Sequence, residues 1–119
     1  MHAFEVLADP VRRRILELIA AGERPAGEVS AVIHREFGIS QPAVSQHLRV
    51  LRDSGFATVQ AAGTRRLYAV NPDALQDVDE WLGRFRRFWT PPLRALETEL
   101  ARGRRERRAS GPGHERSEP

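Results

Sequence analysis

Residues 40–56 have the sequence SQPAVSQHLRVLRDSGF, which predicts a helix with a defined beginning and end. Ser40 is a suitable N-cap, Pro42 fits the first helical turn, and Gly55 can terminate the helix. Three apolar residues recur at helical spacing and form one stripe: Val44, Leu48 and Leu51. This pattern predicts a helix with one face in the core and a polar face available to a partner.

The residues before this helix predict three more helices. A short helix near Phe4 ends at Asp9-Pro10, where Asp9 can cap a second helix that runs to about Ala21. Pro25 is expected to open a third helix, in which four apolar residues recur at helical spacing: Val29, Val32, Ile33 and Phe37. The third helix should end at Gly38, so a turn of three or four residues precedes the next helix. This separation is typical of a helix-turn-helix.

The residues after Gly55 predict a β-hairpin, because the spacing of apolar residues changes from helical to extended. Residues 57–61 and 65–70 are the two strands, and Gly63 lies at the tip. A helix capped by Asp73 is then expected to carry a wide, largely aromatic stripe: Leu75, Val78, Trp81, Leu82, Phe85, Phe88 and Trp89.

The chain has 119 residues, enough for one main domain. We expect a DNA-binding and dimerisation domain in residues 1–90, an amphipathic helix in residues 91–102, and a disordered tail in residues 103–119, which hold no large apolar residue. No cysteine, signal peptide or membrane span is apparent, so the expected location is the cytoplasm.

The positive charge of the chain is concentrated in its middle. All 19 basic side chains are arginine, and the formal net charge is +3. Residues 38–70 contain four arginines and one aspartate, hence a local charge of +3, whereas residues 1–37 are nearly neutral. A positive segment on a nearly neutral chain indicates a polyanionic partner.

The order of these elements predicts a winged helix-turn-helix, mainly α with a small β-hairpin wing, and its residues resemble the ArsR/SmtB family of bacterial repressors. Residues 40–56 are similar to that family's recognition helix, AGTRRLYAVNP at 62–72 to its wing, and LADPVRRRILELI at 7–19 to its second helix. The third helix is about one turn longer than the family's usual spacing. The resemblance covers about residues 4–90 and implies a dimeric DNA-binding transcriptional regulator, most simply an autoregulating repressor of the metal-independent, cysteine-free subgroup.

The polar face of the recognition helix has side chains suited to DNA. The major groove accepts one helix; glutamine pairs with adenine, arginine with guanine, and serine with a base edge or a phosphate. Arginines beside the hairpin tip suit the DNA backbone or the minor groove. The predicted DNA-binding residues are therefore Ser40, Gln41, Ser45, Gln46, His47, Arg49, Arg65 and Arg66.

Two features of the basic and polar set have competing interpretations. His47 lies beside Val44 and Val50, so it is either a packed, hydrogen-bonded histidine or a phosphate contact. The arginines at 12–14 spread over roughly 200° of helix surface, so they cannot all face one partner. We expect them to be solvated or paired with Glu17 or Asp9.

The family resemblance also implies a homodimer that binds a near-palindromic operator. In the family, the first and last helices pair across a two-fold axis, and wide aromatic stripes favour interfaces. The candidate interface residues are Phe4, Leu7, Trp81, Leu82, Phe85 and Trp89. The alternative for the aromatic residues is that they cover the monomer's own core.

Metal binding and catalysis are not expected. The family's thiolate metal site needs cysteines, and its other metal site needs histidines near Asp77, Asp79 and Glu80, where none occurs. Ser45 and His47 diverge by about 200° around one helix, so they cannot form a nucleophile–base pair. We therefore expect no cofactor. Release from DNA would need an effector, for which a small molecule is one possibility; the sequence identifies neither an effector nor whether there is one. The alternative function is a winged helix that binds a protein partner, as an anti-repressor does.

Overall fold

The computed structural model describes residues 2–89, which form helices followed by a hairpin and a further helix. The elements in chain order are α1 (Ala3–Leu7), α2 (Pro10–Ala20), β1 (Arg24–Pro25), α3 (Ala26–Phe37), α4 (Gln41–Asp53), β2 (Ala57–Ala62), β3 (Arg65–Val70), α5 (Pro72–Gly83) and a 3₁₀ turn (Arg86–Phe88). The amphipathic helix expected in residues 91–102 and the tail expected in 103–119 lie outside the described residues. Within residues 2–89, no helix has the length and apolar character needed to cross a bilayer.

Asp9 caps α2 as its sequence predicts. The Asp9 carboxylate accepts hydrogen bonds from the backbone N–H groups of Val11 at 2.8 Å and Arg12 at 3.2 Å, and Pro10 occupies the first helical position. Partial burial raises the pKa of Asp9, but these N–H groups and the charges of His47 and Arg12 outweigh that effect and lower it below its ordinary value.

The core is formed where α2, α3 and α4 pack together. Seven side chains are essentially inaccessible: Val6, Ile15, Val29, Ile33, Val44, Leu51 and Phe56. The predicted apolar stripe of α4 is confirmed, since Leu48 is also buried. Phe37, the last residue of α3, is 40% exposed, whereas Val29 and Ile33 of the same helix are buried.

The predicted hairpin is confirmed, but the sheet has a third strand. β2 and β3 pair antiparallel with Ala62 opposite Arg65, and β1 pairs with the other edge of β3. Gly63 has φ +65° and is the first residue of the two-residue loop, where a type II′ turn requires a glycine. β1 was not predicted because a strand of two residues has no recognisable period.

The last helix is shorter than its aromatic pattern predicts. It ends at Gly83 instead of continuing to Trp89, and the N–H groups of Arg84 and Phe85 bond three residues back, to Trp81 and Leu82. Glycine is a poor helix former, which favours a stop at this position. The N-cap was also wrongly predicted, because Asn71 Oδ1, not Asp73, accepts the Asp73 N–H at 3.2 Å. Of the described residues, 2–80 form one compact unit and 81–89 belong to a separate one.

The Asp9 cap should make stability depend on pH. Asp9→Ala should lower the free energy of unfolding by about 1 kcal/mol at pH 7, whereas Asp9→Asn keeps the acceptor and removes only the charge. Because the folded pKa is lowered, the charge stabilises the fold above about pH 4, and that contribution is lost as the pH falls through the folded value. Urea unfolding at pH 7 and pH 3 should therefore show a gap between wild type and Asp9→Asn that closes in acid. An equal gap at both values would contradict this.

Candidate nucleic-acid interface

The turn between α3 and α4 holds the two helices of the predicted helix-turn-helix in a fixed relation. It has three residues, of which Gly38 is left-handed (φ +73°, ψ 11°) and donates its N–H to His34 O at 2.9 Å. The His34 ring closes the turn from the other side, because its Nδ1 lies 2.9 Å from Ile39 O. A carbonyl oxygen only accepts, so this Nδ1 carries the proton. Ser40 then caps α4 through a bond from Ala43 N–H at 3.3 Å, as predicted.

The polar residues predicted to contact DNA lie on the exposed side of α4. Five of them are exposed: Ser40, Gln41, Ser45, Gln46 and Arg49. At 100° per residue, Gln46 lies about 170° from the centre of the buried stripe, and Arg49 lies about 60° from Gln46. These two side chains therefore project furthest from the core, while Ser45 flanks them. The helix brings this group together on one surface.

The two wing arginines are exposed near the tip of the hairpin. Arg65 pairs with Ala62 directly beside the Gly63 turn, and Arg66 follows it. Neither of them, nor Arg49, forms an ion pair with any residue of the described part of the chain. In contrast, Arg52 lies 3.2 Å from Asp53, which offsets its charge. The charge of Arg49, Arg65 and Arg66 is thus available to a polyanion.

His47 is half-buried and makes a side-chain contact with α2. Its Nδ1 lies 3.4 Å from Nη1 of Arg12. The packed, hydrogen-bonded interpretation therefore applies to Nδ1 of the ring. The phosphate contact stays a prediction for the other nitrogen, Nε2.

The arginines at 12–14 are less solvated than expected. Arg12 and Arg13 bond to backbone carbonyls of α1, which the sequence did not predict. The expected pairs with Asp9 and Glu17 do form, at 3.9 Å from Arg12 and 3.4 Å from Arg14. Arg14 also makes a two-pronged contact with Glu36 on α3, at 2.9 and 3.0 Å. The hydrogen bond of this contact raises the pKa of Arg14 and lowers that of Glu36.

A groove beside the N-terminal end of α4 contains residues that the sequence analysis missed. It has a volume of about 520 Å³ and is lined by Gly27, Ser30, Ala31, His34, Ser40 and Gln41. Ser30 and His34 are four residues apart on α3, so they lie on one face. That spacing of polar residues, next to two small ones, could have been noticed in the sequence.

The candidate dimer residues fall into two groups. On α1, Phe4 is 40% exposed, while Leu7 is partly buried against the core. Among residues 81–89, the Trp81 and Phe85 rings contact each other at a tilt of 55° with 4.8 Å between centroids, and Phe88 stacks on Phe85 at 6.5 Å. Leu82 is 37% exposed, and Trp89 is half-buried. The second group is therefore an exposed aromatic cluster.

No group of three histidine, cysteine or acidic side chains that could hold a metal ion occurs in residues 2–89.

Comparison with known proteins connects this geometry to transcription regulators. A family model described as a helix-turn-helix domain matches residues 7–60. The HTH-type transcriptional regulator Rv2034 of Mycobacterium tuberculosis is 41% identical over 77% of this chain and 79% of its own length. The transcriptional repressor SdpR of Bacillus subtilis is 32% identical over 71% of this chain and 89% of its own.

Solved structures have the same fold. A crystal structure of a possible transcriptional regulator for arsenical resistance is 34% identical with a TM-score of 0.62, and the match covers 72% of this chain and 85% of that one. The solution structure of Mb0332 from Mycobacterium bovis, a homodimeric winged helix-turn-helix DNA-binding domain and possible ArsR-family regulator, is 26% identical with a TM-score of 0.52. That match covers 72% of this chain and 73% of that one.

Replacing glycine by alanine should have opposite effects on the free energy of unfolding at two positions, Gly38 in the turn before α4 and Gly27 in α3. A Cβ at Gly38 would meet no atom within 4 Å, so Gly38→Ala should cost about 1 kcal/mol of unfolding free energy through the left-handed backbone alone. Gly27→Ala, in helical backbone and also without a clash, should instead stabilise by about 0.5 kcal/mol. Urea unfolding checks both values, and the same sign for the two variants would contradict the prediction.

Proposed function

Because the chain belongs to the ArsR family of winged helix-turn-helix transcriptional regulators, we propose that it is a repressor that binds a near-palindromic operator as a homodimer. Its operator would overlap its own promoter, so that the bound dimer excludes polymerase and limits its own synthesis. The similarity to a named transcriptional repressor supports this direction of regulation.

The observation that carries the proposal is the division of α4 into two faces. One face is fully buried, and the other presents the amide, hydroxyl and guanidinium groups of Gln41, Ser45, Gln46 and Arg49. The helix has 13 residues and is about 20 Å long. A major groove about 12 Å wide accepts one such helix across its width. Gln41, Ser45 and Gln46 would contact bases, and Arg49 a base or a phosphate.

The charges of α4 indicate which end of the helix approaches the bases. At the C-terminal end, the Asp53 carboxylate offsets the charge of Arg52, 3.2 Å away, so this end offers phosphates no net positive charge. Ser40 and Gln41 lie at the other end, where the unpaired N–H groups of the helix carry partial positive charge. We therefore assign base contacts to the N-terminal half, the part of a recognition helix that generally reaches base edges.

The wing would contact the DNA backbone or the minor groove. Arg65 and Arg66 have no ion-pair partner in the part of the chain that the structure describes, and they lie beside a hairpin tip, residues 61–64, that has no large apolar side chain. Such contacts would add affinity for any DNA sequence and make binding sensitive to salt.

We assign dimerisation to Phe4 and Leu7 on α1 together with the aromatic cluster of residues 81–89, within a domain of residues 1–90. The exposed rings of Trp81, Phe85 and Phe88 support an interface, because a small domain rarely exposes such a patch without a partner. A two-fold axis would separate the recognition helices by one turn of DNA, so the operator half-sites should be about 10 bp apart.

Release from the operator would require a small-molecule effector that favours a dimer with displaced recognition helices. The chain has no cysteine, so an effector metal bound by thiolates is excluded, and we propose regulation without a metal.

The experiment that tests the proposal is a salt-dependent titration of the wild-type protein on its own promoter fragment and on scrambled DNA. We expect a preference of about a thousandfold or more and a steep loss of affinity with salt. The double variant Ser45→Ala with Gln46→Ala should lose most of that preference, because each base pair misread costs about 1–3 kcal/mol. Gln76→Ala, an exposed glutamine on α5, is the matched control and should bind as wild type.

Two results would contradict this assignment. Equal, weak binding of wild type to both DNAs would favour a winged helix with a protein partner. Undiminished preference in the double variant would show that other residues select the sequence.

The dimer is tested separately by Trp81→Glu. A carboxylate within the aromatic cluster should weaken self-association at least tenfold, because burying an unpaired charge is costly, and operator affinity should fall with it. Gln76→Glu adds the same charge outside the cluster and should remain a dimer. Sedimentation velocity measures both, and a dimeric Trp81→Glu protein would place the interface elsewhere.

A further inference from the structure

Arg12 is a charged residue that the proposed DNA contacts leave without a role. Its side chain is only 12% exposed, although it lies on α2 among residues that resemble a basic surface patch. Its Nε donates to Val6 O at 3.0 Å, its Nη2 to Glu5 O at 3.1 Å, and its Nη1 lies 3.4 Å from Nδ1 of His47. One guanidinium thus connects α1 with the recognition helix.

The contacts with α1 are caps on a helix that is too short to be stable alone. α1 has five residues, so its last carbonyls have no partner within the helix. Arg12 binds the carbonyls of Glu5 and Val6, and Arg13 binds that of Leu7 at 2.7 Å. Two neighbouring arginines therefore share this capping role, but the described contact with His47 belongs to Arg12.

The contact with His47 determines where the proton of its ring lies. A guanidinium only donates hydrogen bonds, so Nδ1 of His47 must accept, and the proton of the neutral ring is on Nε2. The Asp9 carboxylate lies 3.9 Å from the same Nη1 and completes the group of charges around this contact. A phosphate oxygen only accepts, so it requires an N–H donor of the kind that Nε2–H provides.

We propose that Arg12 is a positioning residue for DNA recognition, which holds the His47 ring so that Nε2–H donates to a phosphate of the operator. This inference rests on the proposed function. Under this proposal, the packed histidine and the phosphate contact are both correct, because Arg12 contacts Nδ1 and Nε2 contacts DNA. Arg12 itself makes no contact with DNA.

The test compares variants that each lose capping contacts to α1 but differ in their contact with His47. Arg12→Met removes the donors and keeps the apolar stem, and it should weaken operator binding about tenfold, the effect of one lost charge-assisted hydrogen bond. Arg13→Met is the matched control: it also uncaps α1, yet it should weaken binding less than about twofold, since no described contact joins Arg13 to His47.

Dependence on His47 is tested in two further backgrounds. His47→Ala should cost about tenfold, and adding Arg12→Met should cost little more, because both remove the same contact. His47→Gln provides an amide N–H near the position of Nε2, so it should retain most of the affinity and make Arg12→Met nearly neutral. Urea unfolding of all variants separates loss of fold from loss of binding.

Nitrogen-15 NMR of the wild-type protein without DNA provides a readout that needs no variant. We expect the neutral His47 ring with its proton on Nε2. A proton on Nδ1, equal losses in Arg12→Met and Arg13→Met, or losses of Arg12→Met and His47→Ala that multiply in the double variant would each overturn the inference. Wild-type protein without operator preference would instead contradict the proposed function, while the ring measurement would still test the Arg12–His47 bond.

Discussion

The complete burial of one face of α4 is the constraint on which the rest of the structure depends. Val44 and Leu51 are inaccessible to solvent, as are Ile15 of α2 and Ile33 of α3 in the same core. Rotating α4 by one residue, about 100°, would expose this stripe and bury polar side chains without partners. The core therefore decides which residues face outwards. The candidate DNA-binding surface consists of the α4 residues that do not pack into the core.

Both ends of α4 are fixed by contacts between residues close together in the chain. Through these contacts, the buried face of α4 also determines the positions of the turn and the wing. Gly38 supplies the left-handed residue and Ser40 the cap at the beginning of the helix. At the other end, Phe56 is fully buried; its N–H donates to Leu51 O, and its carbonyl accepts from Asn71 N–H, each at 2.9 Å. Because Asn71 directly follows β3, both ends of the hairpin are attached near the end of the recognition helix. These backbone bonds hold the wing together with its apolar residues: Ala57 and Tyr68 are buried in the core, and Val59 and Val70 pack against it.

Local signals in the sequence were sufficient for most of the fold. The caps at Asp9 and Ser40, the α4 stripe and the hairpin around Gly63 were predicted because each depends on residues close together in the chain. Features that depend on distant partners were not predictable in this way: β1 exists only because β3 lies beside it, and Arg12 reaches His47 across 35 positions. For the candidate site, the sequence indicates which residues of α4 face outwards. The contacts of Arg12 with α1 and His47 could be found only in the structure.

The ion pairs show which positively charged side chains are neutralised by an acidic partner and which are available to DNA. The arginines at 12–14 form the densest basic run in residues 2–89, yet their guanidinium groups bond to α1 carbonyls, His47 and acidic side chains. Arg24 and Arg52 lie beside Glu28 and Asp53. Arg49, Arg65 and Arg66, on the recognition helix and the wing, have no ion pair with an acidic side chain in that part of the chain, which is also true of Arg13, Arg35, Arg84 and Arg87. Affinity for a polyanion depends on cations that can release counterions, so the position of these three arginines is a stronger argument for DNA than the net charge of +3.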